Sequence, residues 1–129
     1  MEDAVRRIVQ RDKTGCGVAC VAMVVGASYA IVRGVMADDR STIYANTKDV
    51  VKALRHFGAD LPRDRLVVLR GRNFRRLEYD AILKVNVRKD GHWHWVVWDA
   101  KKQRVLDPKR RPYRTIRATS YLPVNRPSG

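Results

Sequence analysis

The sequence of 129 residues has only two cysteines and lacks long apolar runs. Its longest apolar stretch, from Val18 to Val25, is far shorter than the roughly 20 apolar residues that a membrane span requires. This stretch also lies too far into the chain to be a signal peptide, so we expect no export signal. Cys16 and Cys20 are too close in sequence to cross-link a fold, which excludes a disulfide scaffold and favours a reducing compartment.

Acidic residues are also scarce: 13 carboxylates stand against 27 lysines and arginines, which gives a formal net charge of +14. The basic residues are densest in residues 63–76 and 109–117. Such a charge attracts nucleic acid, an anionic membrane or an acidic protein. Because the chain has no nucleic-acid-binding motif and no repeat of aromatic residues interleaved with basic ones, we favour an acidic protein partner over nucleic acid.

The first half of the chain has helical periodicity. The apolar spacing predicts helices at residues 15–25, 29–36 and 47–57 and a helical turn at residues 4–9. Gly26 and Gly58 are expected to end the first and third helices, and Asn46 or Thr47 to cap the third.

The second half has strand periodicity. After Pro62 we place strands at residues 66–69, 81–87, 92–98, 104–106 and 113–117. Helices followed by strands predict an α+β fold, in which N-terminal helices pack on a C-terminal antiparallel sheet. We expect one domain over residues 1–129, with a core at about residues 8–120 and a frayed tail at residues 123–129.

Cys16 opens the first predicted helix. The positive end of the helix dipole favours the thiolate, which is the nucleophilic form of cysteine. Gln10 precedes Cys16 by six residues. Its amide can donate to the oxyanion that forms when a thiolate attacks a carbonyl, alongside the backbone N–H of Cys16. This stretch therefore predicts a nucleophile and an oxyanion donor.

His94 lies on the predicted strand 92–98, where alternation places it on the same face as His92, Val96 and Trp98. If this strand pairs with the next one across a turn at residues 100–102, Asp107 comes close to His94. Its carboxylate can then accept from one imidazole nitrogen and leave the other for Cys16. We therefore predict a nucleophile, a base and an orienting group.

These motifs resemble those of the C39 peptidases, which are papain-like cysteine proteases. Gln10, Cys16 and the run from Gly17 to Cys20 are similar to the opening motif of that family. Residues 94–97 and 105–108 are similar to its histidine and aspartate motifs, and the likeness spans roughly residues 8–110. The resemblance implies a papain-like fold and cleavage of a protein after a double glycine. It assigns Cys16 as nucleophile, His94 as base, Asp107 as orienter and Gln10 as oxyanion donor, with no cofactor or metal.

The sequence departs from the family in two respects. Gly15 stands where the family has an aspartate before the cysteine. The chain also has no transporter or nucleotide-binding domain. We therefore expect a domain of a larger polypeptide or a detached protease, such as an interbacterial toxin that acts on a cytosolic protein and is held by an immunity or inhibitor protein. A leader peptidase of a secretion system is an alternative.

Three other functions remain open from the residues. A deamidase or transglutaminase would need the same thiolate and oxyanion donors. Cys16, Cys20, His92 and His94 are in principle four ligands for zinc. A nucleic-acid binder would keep the triad only as a relic. Cys20 is otherwise expected in the core, and His92 at the rim of the site.

Overall fold

The computed structural model describes residues 5–37 and 44–125. In these residues the chain folds as three α-helices followed by a five-stranded antiparallel sheet, which confirms the predicted α+β class. The helices are α1 Cys16–Val25, α2 Tyr29–Ala37 and α3 Thr47–His56. The strands are β1 Val67–Val68, β2 Ala81–Val85, β3 His94–Asp99, β4 Arg104–Leu106 and β5 Ala118–Pro123, with a 3-10 helix at Phe74–Arg76 between β1 and β2.

The helix ends follow the predicted signals. Gly26 has a left-handed φ of 72° and donates its N–H to Ala22, so α1 stops where a residue without Cβ is available. The side chain of Asn46 accepts from the backbone of Asp49, while the carboxylate of Asp49 accepts from the backbone of Asn46. This reciprocal capping box fixes the start of α3. None of the described helices is long and apolar enough to cross a membrane.

The sheet has the strand order β1-β5-β2-β3-β4. Residues of β3 alternate between two apolar clusters, as predicted: Trp95 and Val97 pack with the helices, whereas Val96 and Trp98 pack on the opposite face. The helix α1 is buried from Gly17 to Val24 against the first of these faces. The helices therefore cover one side of the sheet and bring the start of α1 near the start of β3.

Three sequence predictions differ from the structure. The predicted helical turn at residues 4–9 is not formed over residues 5–9, and residue 4 lies outside the described part. Residues 113–117 are not a strand: the strand is β5, which pairs with both β1 and β2. The frayed tail is predicted from residue 123, but the chain is still ordered there, because Val124 is buried and Asn125 pairs with Asp60. Residues 126–129 lie outside the described part.

Local backbone geometry explains why two predicted strands are shorter than expected. Asn86 has a positive φ of 50°, which ends β2 before Val87. A turn in which the N–H of Arg88 donates to the carbonyl of His92 over 2.8 Å delays the start of β3 until His94. The histidine of the candidate site is therefore the first residue of its strand.

Candidate active site

Cys16 is the first residue of α1, and its side chain is partly exposed while the helix is buried from Gly17 to Val24. A Cβ added to Gly17 would lie 2.7 Å from the Cβ of Ala45, so only glycine allows this close approach. The indole of Trp95 holds the same segment by donating to the carbonyl of Ala45 over 2.9 Å. Tight packing behind Cys16 thus fixes the thiol at the edge of the core.

His94 and Asp107 form a short, buried pair. The Nε2 of His94 lies 2.7 Å from Oδ1 of Asp107, and the two side chains are 12% and 4% exposed. The same carboxylate accepts the backbone N–H groups of Lys109 and Tyr113, each over 2.9 Å. Because Nε2 points at the carboxylate, Nδ1 is the ring nitrogen left for the thiol.

The surroundings of His94 favour its protonated form. Burial alone would lower the pKa of His94, but the hydrogen bond with Asp107 and the adjacent Cys16 raise it from 6.5 to about 9. Burial would likewise raise the pKa of Asp107, yet its hydrogen bonds from His94 and the backbone hold it below the ordinary value of 3.8. The site therefore stabilises an imidazolium beside a carboxylate.

Gln10 lies at the same site, but its side-chain amide donates to carbonyl groups of its own loop. Its side-chain Nε2 lies 3.0 Å from each of the carbonyl oxygens of Asp12 and Lys13, and its backbone N–H donates to Pro108 over 2.8 Å. Its Oε1 is buried and has no hydrogen-bond partner in the described chain. To donate to an oxyanion, the Gln10 amide must exchange one of these two carbonyls for the substrate.

Arg7 connects the N-terminal segment to the loop at residues 107–109, a role that the sequence did not indicate. Its Nε donates to the carbonyl of Asp107 and its Nη2 to the carbonyl of Lys109, both over 2.8 Å. The partners in these two contacts are separated by 100 and 102 positions in the sequence. An arginine in a polar segment gives no sequence signal for such a role.

The hydroxyl of Tyr29, a second group that the sequence did not point to, explains why residue 15 is glycine. A Cβ on Gly15 would lie 2.0 Å from the hydroxyl oxygen of Tyr29. That hydroxyl donates to the carboxylate of Asp12 over 2.6 Å, and Arg33 donates to the same oxygen over 2.9 Å. Glycine immediately before Cys16 is therefore required by a hydroxyl that anchors the loop to α2.

The candidate residues open onto a cleft of about 340 Å³. Tyr44 and Trp93 form aromatic walls, and the rings of Tyr113 and His94 are in a T-shaped arrangement with 5.3 Å between their centroids. The cations that line the cleft are Lys13, Arg88 and Lys109, with no carboxylate among the described lining residues. The cleft is thus lined by aromatic and cationic side chains.

Cys20 and His92 do not join the chemistry of Cys16. Cys20 is fully buried, and burial, followed by the charge of Cys16, raises the pKa of its thiol well above the ordinary value. His92 has a side chain that is 57% exposed and stacks near Tyr44 at the mouth of the cleft. Over the described residues, no group of three or more potential ligands is placed to hold a metal ion, which argues against the zinc alternative.

The chain matches no family model, and no curated protein is similar to it in sequence. Cys16, His94 and Gln10 line one cleft, and Asp107 lies behind the imidazole. A thiol, an imidazole and a carboxylate in this order are the groups that attack and cleave an acyl derivative.

Proposed function

We propose that this protein is a cysteine endopeptidase of papain-like fold, related to the C39 peptidases. The observation that supports this most is the buried 2.7 Å bond between His94 and Asp107 next to Cys16 in an open cleft. A histidine with a purely structural role has no need of a protonated ring next to a partly exposed thiol. A cysteine nucleophile does need such a ring, together with a carboxylate that orients it.

In this mechanism the Cys16 thiolate attacks the carbonyl carbon of a peptide bond, with His94 protonated on both ring nitrogens. The oxyanion accepts hydrogen bonds from the backbone N–H of Cys16 and from Gln10 once its amide is released. His94 gives its Nδ1 proton to the leaving amine, and a thioester remains on Cys16. The neutral imidazole then takes a proton from water, whose oxygen attacks the thioester and releases the acid and the thiolate.

We further propose that the substrate is a cytosolic protein cut after Gly-Gly. The resemblance to the C39 peptidases supports this preference, and aromatic walls at Tyr44 and Trp93 suit residues without side chains. Lys13 and Lys109 favour acidic residues around the cleaved bond. An interbacterial toxin domain, with an immunity protein as inhibitor, is the biological role that this combination supports best.

Proteomic mapping of new protein termini tests the reaction. Cells expressing the wild-type chain are compared with cells expressing Cys16→Ala, and Cys20→Ala serves as the matched control because its thiol is buried. We expect new termini that follow Gly-Gly in the wild type and in Cys20→Ala, and none in Cys16→Ala. Identical termini in all three cultures would exclude the protease. Glutamines that gain about one dalton instead of new termini would identify a deamidase.

A further inference from the structure

A second cavity, of about 500 Å³, opens on the sheet face that the helices do not cover. Its apolar floor consists of Leu69, Leu77 and Tyr121, which pack with the cluster around Trp98. Cys16 packs against the other cluster, on the helix side of the sheet. The cavity is therefore separate from the candidate active site.

Arg72 and Arg76 supply the charge of this cavity. Arg72 is held in place, because its Nε donates to the carbonyl of Leu69 over 3.0 Å and its Nη2 to that of Val68 over 3.3 Å. Neither arginine has a carboxylate partner in the described chain. The arginines that do form ion pairs there are Arg33, Arg65, Arg88 and Arg104.

The backbone beside the cavity is strained. Arg70 and Gly71 have successive positive φ angles of 52° and 80°, and the N–H of Arg72 donates back to Leu69 over 3.0 Å. A left-handed conformation at a residue other than glycine costs about 1 kcal/mol and persists only where the surrounding structure holds it. The turn fixes Arg72 at the edge of the cavity.

We propose that this cavity binds an acidic polypeptide segment, with a carboxylate on Arg72 and Arg76 and an adjacent apolar side chain on the floor. The fixed guanidinium group suits a planar carboxylate, and the floor offers apolar surface to the neighbouring residue. Residues 63–80 carry six arginines against three carboxylates, so the surrounding charge also attracts an acidic chain. A nucleic acid would need a row of phosphate contacts, whereas the guanidinium groups that line this cavity are the two of Arg72 and Arg76.

Fluorescence anisotropy tests this proposal in a Cys16→Ala background, where cleavage of the probe cannot interfere. The probe is a labelled 12-residue peptide of repeated Glu-Glu-Leu, compared with one of repeated Gln-Gln-Leu. We expect Arg76→Glu to weaken the Glu peptide by about tenfold or more, since it replaces an attractive pair by a repulsive one. Arg55→Glu, on the exposed side of α3, makes the same change of net charge and should alter the Kd by less than about twofold.

Arg72→Lys provides a variant that keeps the charge but loses the planar fork, and we expect it to weaken binding by about threefold. Thermal melts confirm that each variant is folded, with Arg76→Gln as the replacement where Arg76→Glu is not. Equal losses in Arg76→Glu and Arg55→Glu would overturn the proposal, as would equal binding of the Gln peptide. Tighter binding of a 12-nucleotide single strand, lost in Arg76→Glu, would also overturn it in favour of phosphate recognition.

Discussion

The candidate site has two halves that are held in different ways. The sheet half consists of His94 and Asp107, which are joined directly by a 2.7 Å bond between buried side chains. The loop half consists of Gln10 and Cys16, which are held by groups that lie outside the candidate site, among them Tyr29, whose hydroxyl donates to Asp12. The two side chains of the sheet half thus hold each other in addition to their contacts with the backbone, whereas the loop half depends on the residues around it.

Removing the imidazole should produce the largest effect, because the sheet half then has no base. We expect His94→Ala to lower kcat by about 10³-fold, the usual contribution of a positioned acid–base group. Steady-state cleavage of a Gly-Gly peptide measures it. His92→Ala, at the mouth of the cleft, is the control and should keep most of the activity. Equal losses in the two variants would show that the sheet half is wrongly assigned.

The sheet half should also make stability depend on pH. Because the pKa of His94 is raised from 6.5 to about 9 on folding, its protonated ring stabilises the fold fully below pH 6.5. This contribution, about 3 kcal/mol at most, is lost as the pH rises from 6.5 to 9. Urea unfolding of the wild type at pH 6 and pH 9.5 measures the loss. His94→Gln should lack this component, and an equal loss in that variant would contradict the assignment.

Asp107→Asn tests the sheet half further, because the carboxylate of Asp107 accepts hydrogen bonds from the backbone as well as from His94. An asparagine cannot accept from His94, Lys109 and Tyr113 with the same oxygens, since one side-chain position becomes a donor that faces a donor. We expect kcat to fall by about 10²-fold, together with a lower melting temperature. A variant with unchanged kcat would show that the carboxylate does not orient the imidazole.

The loop half is tested by a double-mutant cycle, with a smaller expected effect. Gly15→Ala brings a methyl group against the Tyr29 hydroxyl, and Tyr29→Phe removes that hydroxyl. Each should destabilise the fold, but the double variant should be more stable than the sum of the two losses by about 1 kcal/mol. Thermal unfolding measures the coupling, and kcat shows whether the loop moves Cys16. Strict additivity would mean that Tyr29 does not determine the identity of residue 15.

The sequence predicted those features that depend on neighbouring residues. The apolar spacing of α1, the glycine after it and the alternation along β3 are local patterns, so the helix class and the faces of Trp95 and Val96 were predicted correctly. The strand β5 was misplaced because its pattern is less regular than that of residues 113–117. Its identity is determined by pairing with β2, which no local pattern encodes.

The residues that hold the two halves in place could not be predicted for the same reason. Tyr29 is 17 residues from Asp12 in sequence, and Arg7 is 100 residues from Asp107. Neither residue type has a spacing that signals such a contact. The local use of the Gln10 amide was also not predictable, because an oxyanion donor and a loop-holding donor have the same sequence pattern.

The most direct test of Cys16 as the nucleophile is the alkylation of the two cysteines by limiting iodoacetamide at pH 7, mapped by mass spectrometry of the peptides. We expect the wild type to be modified at Cys16 and not at Cys20. We also expect His94→Ala to slow the modification of Cys16 by about tenfold or more, because the imidazole that would take the thiol proton is lost. Modification of Cys20 first, or equal rates at Cys16 with and without His94, would contradict this role of Cys16.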